Sequence, residues 1–276
     1  MDAWISDIQF ERMGPVRKAL KMLVFNPVAN YLPSALMKGL LRFGKSELAA
    51  ANWKDPGGWR SMVISYNGKP RQIADRILVS AGTIPMALRN RRKLAGRIIA
   101  GLIDQCSDSA VQVLCLGAGP GHIISDALGQ AAKPAQATLV DLSSDAFDYG
   151  QELAGKMGLS DRVKFVVADA RDIERVLDHS PHVVKMIGLC EYLSDEQIAS
   201  IVESLAAVMP KGSAIVSNSL SSAHGTDRFF RRVFGLHMNH RSPQQLQDLF
   251  ASKGFGDFQT FAEPLGIYQI IVGRRI

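Results

Sequence analysis

Three glycines at alternate positions, Gly117, Gly119 and Gly121, follow directly on the apolar run Val113-Leu114-Cys115-Leu116. A glycine-rich turn between a buried strand and a helix lets backbone come within contact distance of a ligand, because a Cβ would block the approach. A dinucleotide site has the spacing G-x-G-x-x-G and offers a helix N-terminus to a pyrophosphate. His122 stands where that pattern needs its third glycine, so the loop is built for a different ligand. Two carboxylates fall at later strand ends. Asp141 lies 24 residues after Gly117, where an acidic side chain accepts hydrogen bonds from both hydroxyls of a ribose. Asp169, in Val166-Val167-Ala168-Asp169-Ala170, can accept from the exocyclic amine of an adenine while the next backbone N–H reaches a ring nitrogen. The stretch Met186-Ile187-Gly188-Leu189-Cys190-Glu191-Tyr192-Leu193 adds a proton acceptor, Glu191, and a ring face for a cation, Tyr192. His224, His237 and His240 are further candidate bases, although a lone histidine is more often structural. No metal-ligand spacing is visible, and Cys106, Cys115 and Cys190 form neither a disulfide framework nor a zinc pattern. The expectation is buried or half-buried thiols and no metal.

The elements that must position these residues alternate as in a parallel α/β domain. Apolar runs predict strands at Val111–Leu116, Ala137–Leu142, Val163–Val167, Val183–Gly188 and Ala214–Ser217. Helices are predicted near 86–104, after the glycine loop, from Ser144 to Gly158, and over 195–209, where Ile198, Ile201, Val202, Leu205 and Met209 keep a 3.6-residue spacing. Ser242-Pro243-Gln244-Gln245 is a capping-box pattern that opens one more helix. The segments 257–263 and 267–273 read as a terminal hairpin. Before all this, residues 1–85 read as a helical cap or lid. Val16, Leu20, Leu23 and Val24 recur with basic residues between them; Pro27 should end that helix and Pro33 open another. A basic amphipathic helix can lie on a membrane, but covering the main domain is the favoured role. Residues 52–70, dense in turn residues, are expected to be irregular.

The chain of 276 residues is 47% apolar and 21% charged, with a net charge of +6. That is an ordinary globular composition. Its basic clusters, Arg89 to Lys93 and Arg228 to Arg232, are read as solvated helix faces, since no nucleic-acid-binding signature accompanies them. Met1-Asp2-Ala3-Trp4 lacks the start of a signal peptide and no window reaches a membrane span, so a cytoplasmic protein is expected.

With Leu116–Gly121, Asp141, Ala168–Ala170 and the Gly188 to Leu193 stretch in view, residues 86–276 resemble the class I, Rossmann-like S-adenosylmethionine-dependent methyltransferases. The last antiparallel hairpin also matches that family. The resemblance implies S-adenosylmethionine as cofactor, held by Gly117, Ala118, Gly119, Gly121, Asp141, Leu142, Asp169, Ala170 and Gly188. It implies methyl transfer to a small-molecule substrate, with Glu191 and Tyr192 as catalytic candidates and nucleic acid disfavoured. One departure stands out: many members carry an acidic residue two positions before the first glycine, to hold the ligand's amino group, and here that residue is Cys115. A carbonyl near Gly117, or Glu191, could substitute. The same departure keeps open a non-methylating alternative, cyclisation of the cofactor with release of 5′-methylthioadenosine, as in azetidine-2-carboxylate synthases.

Overall fold

Strand β1 (Val111–Leu116) has parallel partners on both sides, and everything else in the molecule is arranged around it. In the computed structural model, which describes residues 5–80 and 82–276, β1 pairs with β2 (Ala135–Asp141) on one side and β4 (Val183–Lys185) on the other. Strands β3 (Val163–Val167), β5 (Ala214–Leu220), β6 (Phe255–Ala262) and β7 (Tyr268–Arg275) complete one sheet in the order β3-β2-β1-β4-β5-β7-β6. Only β7 runs against its neighbours. The expectation drawn from Met1 to Trp4 falls outside the described residues. Among those residues, no helix is long and apolar enough to cross a membrane.

The sheet is covered on both faces, and β1 divides its side chains between them with the period of two that a strand imposes. Val113 and Cys115 pack under Leu94, Ile98 and Leu102 of the Thr83–Gln105 helix and Ile124 of the His122–Gln130 helix. Leu114 and Leu116 face the other way, onto Ile198, Ile201 and Leu205 of Asp195–Val208 and Phe250 of Pro243–Ala251. Both of these last helices open with a complete capping box, at Ser194 with Gln197 and at Ser242 with Gln245. The strand order reverses direction at β1 and β4. In an open parallel sheet, such a switch point leaves a crevice at the carboxyl ends of the strands.

Two expectations for the N-terminal region fail. Pro27 does not end the first helix: Pro15–Leu20, a π-turn at Lys21–Phe25 and Asn26–Tyr31 run on continuously. The wider π register sits directly before Pro27 and absorbs both its missing N–H and the clash of its ring with the preceding turn. Nor are residues 52–70 irregular, since Glu47–Lys54 extends into them and Trp59–Asn67 is a helix. Intrinsic propensity is weak there, because Ser61 and Ser65 bond back to the carbonyls of Gly58 and Ser61. Tertiary packing overrides it: Met62, Val63 and Tyr66 are partly or fully buried.

The basic clusters are solvated faces only in part, with Lys93, Arg228 and Arg231 exposed. Arg91 is buried; Arg89 makes a two-point contact with Glu11; Arg92 does the same with Asp126; and Lys93 donates to the Gln9 carbonyl. Arg228 and Arg232 both donate to the carbonyl of Asn30. Both clusters are thus spent in part on tying the N-terminal segment to the sheet domain.

Candidate functional site

The three loop glycines all adopt left-handed backbone, with φ of +58°, +51° and +81° at Gly117, Gly119 and Gly121. At Gly121 a side chain is also barred by space, because a Cβ would stand 2.3 Å from Leu139 Cδ2. The turn is pinned from the end of β2. Asp141 Oδ2 accepts from the Gly119 N–H at 2.7 Å and Oδ1 from the Ser143 N–H at 3.0 Å. Its carboxylate therefore lies against the loop, although it stands 24 residues from Gly117 in the chain.

Above this loop, at the carboxyl ends of β1 and β4, opens a cavity of about 1000 Å³. Gly117, Ala118, Gly119, Gly121, Asp141, Gly188, Glu191 and Tyr192 all line it. Leu142, Asp169 and Ala170 do not. Leu142 points to solvent, and the Asp169 carboxylate is held by Arg171 through Nε at 2.9 Å and Nη2 at 2.6 Å. Those bonds pull the Asp169 carboxyl down to a pKa of about 2. These residues are still only a step away, because the Ala168 N–H donates to the Asp141 carbonyl at 3.1 Å. The histidines at 224, 237 and 240 are absent from the cavity wall.

Glu191 is buried in the cavity wall and paired with buried Arg91 at 3.2 Å. Arg91 lies with its guanidinium carbon 4.4 Å from the centre of the Tyr268 ring. The pairing is incomplete, since Glu191 Oε2 and Arg91 Nε have no partner. An unsatisfied carboxylate oxygen at a cavity wall is positioned to accept a hydrogen bond or a proton from a bound molecule. Tyr192 stands beside it, 41% exposed as a residue but with its hydroxyl end enclosed against Gly57. That enclosure, then the Glu191 charge, pushes the hydroxyl upward from the usual phenol range, so it is a donor and not a base. Its hydroxyl abuts Gly57, where a Cβ would lie 2.6 Å away. The Trp59–Asn67 helix closes over the glycine loop: Trp59 Cβ is 3.6 Å from where a Cβ on Gly119 would stand, and its indole N–H donates to Asp145 at 3.1 Å.

Three wall residues were not singled out by the sequence. Arg91 had a legible signal, because extending the apolar stripe of Ala95, Ile98 and Leu102 back one turn lands on it. His122 had none beyond its place after Gly121; it is buried between the rings of Tyr66 and Tyr149, 5.4 and 5.7 Å away. Burial, then the Arg92 charge, lowers its pKa to about 4. Lys185, at the end of β4, is buried opposite Cys115 and donates to the Gly117 carbonyl at 3.2 Å. A cation thus occupies the neighbourhood where the related enzymes carry an acid, and burial pushes the Cys115 thiol up.

Away from the cavity, at the amino ends of β1 and β4, Cys106, Asp108 and His182 come together, a grouping invisible in their spacing. His182 uses Nδ1 to accept from the Gln112 N–H and sets Nε2 3.2 Å from Asp108.

Known proteins bear on this arrangement. Residues 68–275 match the model of a family described as "Putative methyltransferase". A curated Escherichia coli K12 protein named tRNA 5-carboxymethoxyuridine methyltransferase is 27% identical over 45% of this chain and 45% of its own. The chain spans 30% to 45% of the length of the curated relatives it matches. Among solved structures, a Bordetella parapertussis protein described as a possible exported protein superposes with a TM-score of 0.65 at 16% identity, over 79% of each chain. Magnesium protoporphyrin IX methyltransferase from Synechocystis PCC 6803, solved with bound SAM, gives 0.56 at 12% identity, over 87% of this chain and 97% of that one. At such identities the likeness is one of fold.

Proposed function

The chain belongs to this methyltransferase family, and from that premise we propose that it transfers a methyl group from S-adenosylmethionine to a large, mostly apolar small molecule. One observation carries the acceptor class. The glycine loop and the Arg91–Glu191 pair open into a single space of about 1000 Å³ that continues between apolar walls at Phe25, Met37, Leu40, Phe234 and Met238. That is the upper end of the range for small-molecule sites, which run to about 1,000 Å³. Cyclisation of the cofactor needs room for one ligand only, so the apolar extension supports transfer to a second molecule. The arginines already committed to intramolecular partners, together with the apolar walls, favour a small molecule over RNA.

The residues present fit the cofactor. The left-handed turn at Gly117, Gly119 and Gly121, with Leu139 packed behind Gly121, is a backbone conformation that residues with a side chain rarely adopt, and it puts bare backbone on the cavity wall. Asp141 would take the ribose, with Leu142, Asp169 and Ala170 around the adenine end. Gly188, at φ +81°, would flank the methionine end with Ala118. The Gly117 carbonyl is already used by Lys185, which makes Lys185 a cationic partner for the ligand's carboxylate. When bound, S-adenosylmethionine supplies an electrophilic methyl group on a sulfonium sulfur. The protein's part is to align the acceptor, exclude water and accept the acceptor's proton. Glu191 is the proton acceptor in this reading, through its unpartnered Oε2, with Arg91 fixing the other oxygen. Tyr192 presents its ring and a protonated hydroxyl to the transferring centre. Incubation with methyl-labelled S-adenosylmethionine and an apolar cell extract should put label into an organic-phase product. Label recovered only in RNA would overturn the acceptor class.

A further inference from the structure

The N-terminal helices leave apolar surface in solvent both at the mouth of the acceptor chamber and beyond it, more than the chamber itself requires. Phe25, Val28, Leu40, Phe43, Ile73 and Ile77 each line the cavity and are each at least half exposed, Phe43 to 90%. They form the rim of its mouth. Beyond the rim, Val16 and Leu23 are 81% and 77% exposed on the same run of helix. Contiguous apolar surface on this scale marks an interaction site.

Charge identifies the partner. Between Glu11 and Glu47 the chain carries seven Lys and Arg and no Asp or Glu. Lys18, Arg42 and Lys45 are exposed among the apolar residues. Two copies packed on this face would oppose like charges. An anionic lipid surface would meet the basic and the apolar groups together, the combination that holds an interfacial helix at the level of the headgroups. No described helix is long and apolar enough to cross a bilayer, so the segment would lie on the surface.

We propose that this face docks on an anionic phospholipid bilayer, with the cavity mouth turned toward the acyl layer, so that the apolar acceptor enters from the membrane. The route of entry rests on the acceptor reading above; the docking itself does not. The test is co-sedimentation with vesicles of phosphatidylcholine alone, and of phosphatidylcholine mixed with phosphatidylglycerol. The full chain is compared with a Lys18→Glu/Leu23→Glu variant, both positions being exposed and outside the cavity wall. Wild-type protein should bind the anionic vesicles at least about tenfold more than the neutral ones, and lose that excess as salt is raised. The variant should lose about tenfold in vesicle binding while its circular dichroism and its titration with S-adenosylhomocysteine stay as in wild type. Wild type left in the supernatant, or a variant that binds as well as wild type, would overturn the proposal. So would a solution dimer that the variant dissociates, which would give the surface to a second copy. Vesicle binding without response to S-adenosylhomocysteine would strike at the methyl-transfer reading alone.

Discussion

At the scale of single residues, the site rests on carboxylates whose work is divided by their surroundings. Asp141 accepts two backbone N–H groups and shapes the loop, whereas Glu191 is buried, half-paired with Arg91 and open on one oxygen. Asp141→Ala is expected to weaken binding of S-adenosylhomocysteine by about 2–4 kcal/mol, since hydrogen bonds to a charged group contribute about 1.5–3 each. Asp141→Asn keeps one acceptor and should lose less. Titration calorimetry on folded variants measures both, and unaltered affinity in the alanine variant would place the ribose elsewhere. Glu191→Gln separates its two candidate roles. As proton acceptor, its loss should lower turnover by about 100-fold or more while affinity for S-adenosylhomocysteine changes little. The reverse pattern would assign Glu191 to the ligand's amino group.

At the scale of elements, legibility followed the source of each element's stability. Val111–Leu116 could be bounded from sequence because a parallel strand buried on both faces reads as an apolar run, and the edge strand Val163–Val167, though only partly buried, keeps an apolar run broken by Lys164. Asp195–Val208 and Pro243–Ala251 announced themselves through period and capping box. The glycine loop and Asp141 were legible for a related reason: they sit at strand ends whose positions the apolar runs fix. Trp59–Asn67 was hidden because tertiary contacts, not local propensity, make it helical, and with it went the contact of Trp59 with the loop. Lys185 was hidden because a charge in a sequence reads as surface, and Arg91 was passed over for the same reason although its helical stripe pointed inward; each is buried with specific partners. The helices at 15–43 are joined to the rest by polar contacts from Lys21, Asn30 and Arg232, with little burial of their own. Few buried contacts imply a low local opening energy. Amide exchange across 15–43 should therefore slow by about tenfold when S-adenosylhomocysteine fills the cavity these helices wall. Exchange unchanged at saturating ligand would rule out a lid.

At the scale of the whole molecule, two buried histidines make stability depend on pH. His122 and His224 are both lowered to about 4, each chiefly by burial, then by the charge of Arg92 and of His240 respectively. Each is neutral in the folded protein at pH 7, and the unfolded chain binds the proton first. Their contribution is therefore complete above the unfolded value of about 6.5 and declines as pH falls toward 4, by up to about 2 kcal/mol each at pH 5. Urea midpoints should fall between pH 7 and pH 5, and His122→Phe should flatten part of that slope; a midpoint that rises over this range would contradict it. The same molecule joins a glycine-loop site to an apolar chamber, and that union underlies the assignment of methyl transfer. The most direct test is the sulfur by-product, followed by mass spectrometry with pure protein and S-adenosylmethionine, alone and with an apolar extract. Methyl transfer to an apolar acceptor should give near silence without extract and extract-dependent S-adenosylhomocysteine with it. Rapid, enzyme-dependent 5′-methylthioadenosine in the absence of any acceptor would contradict it.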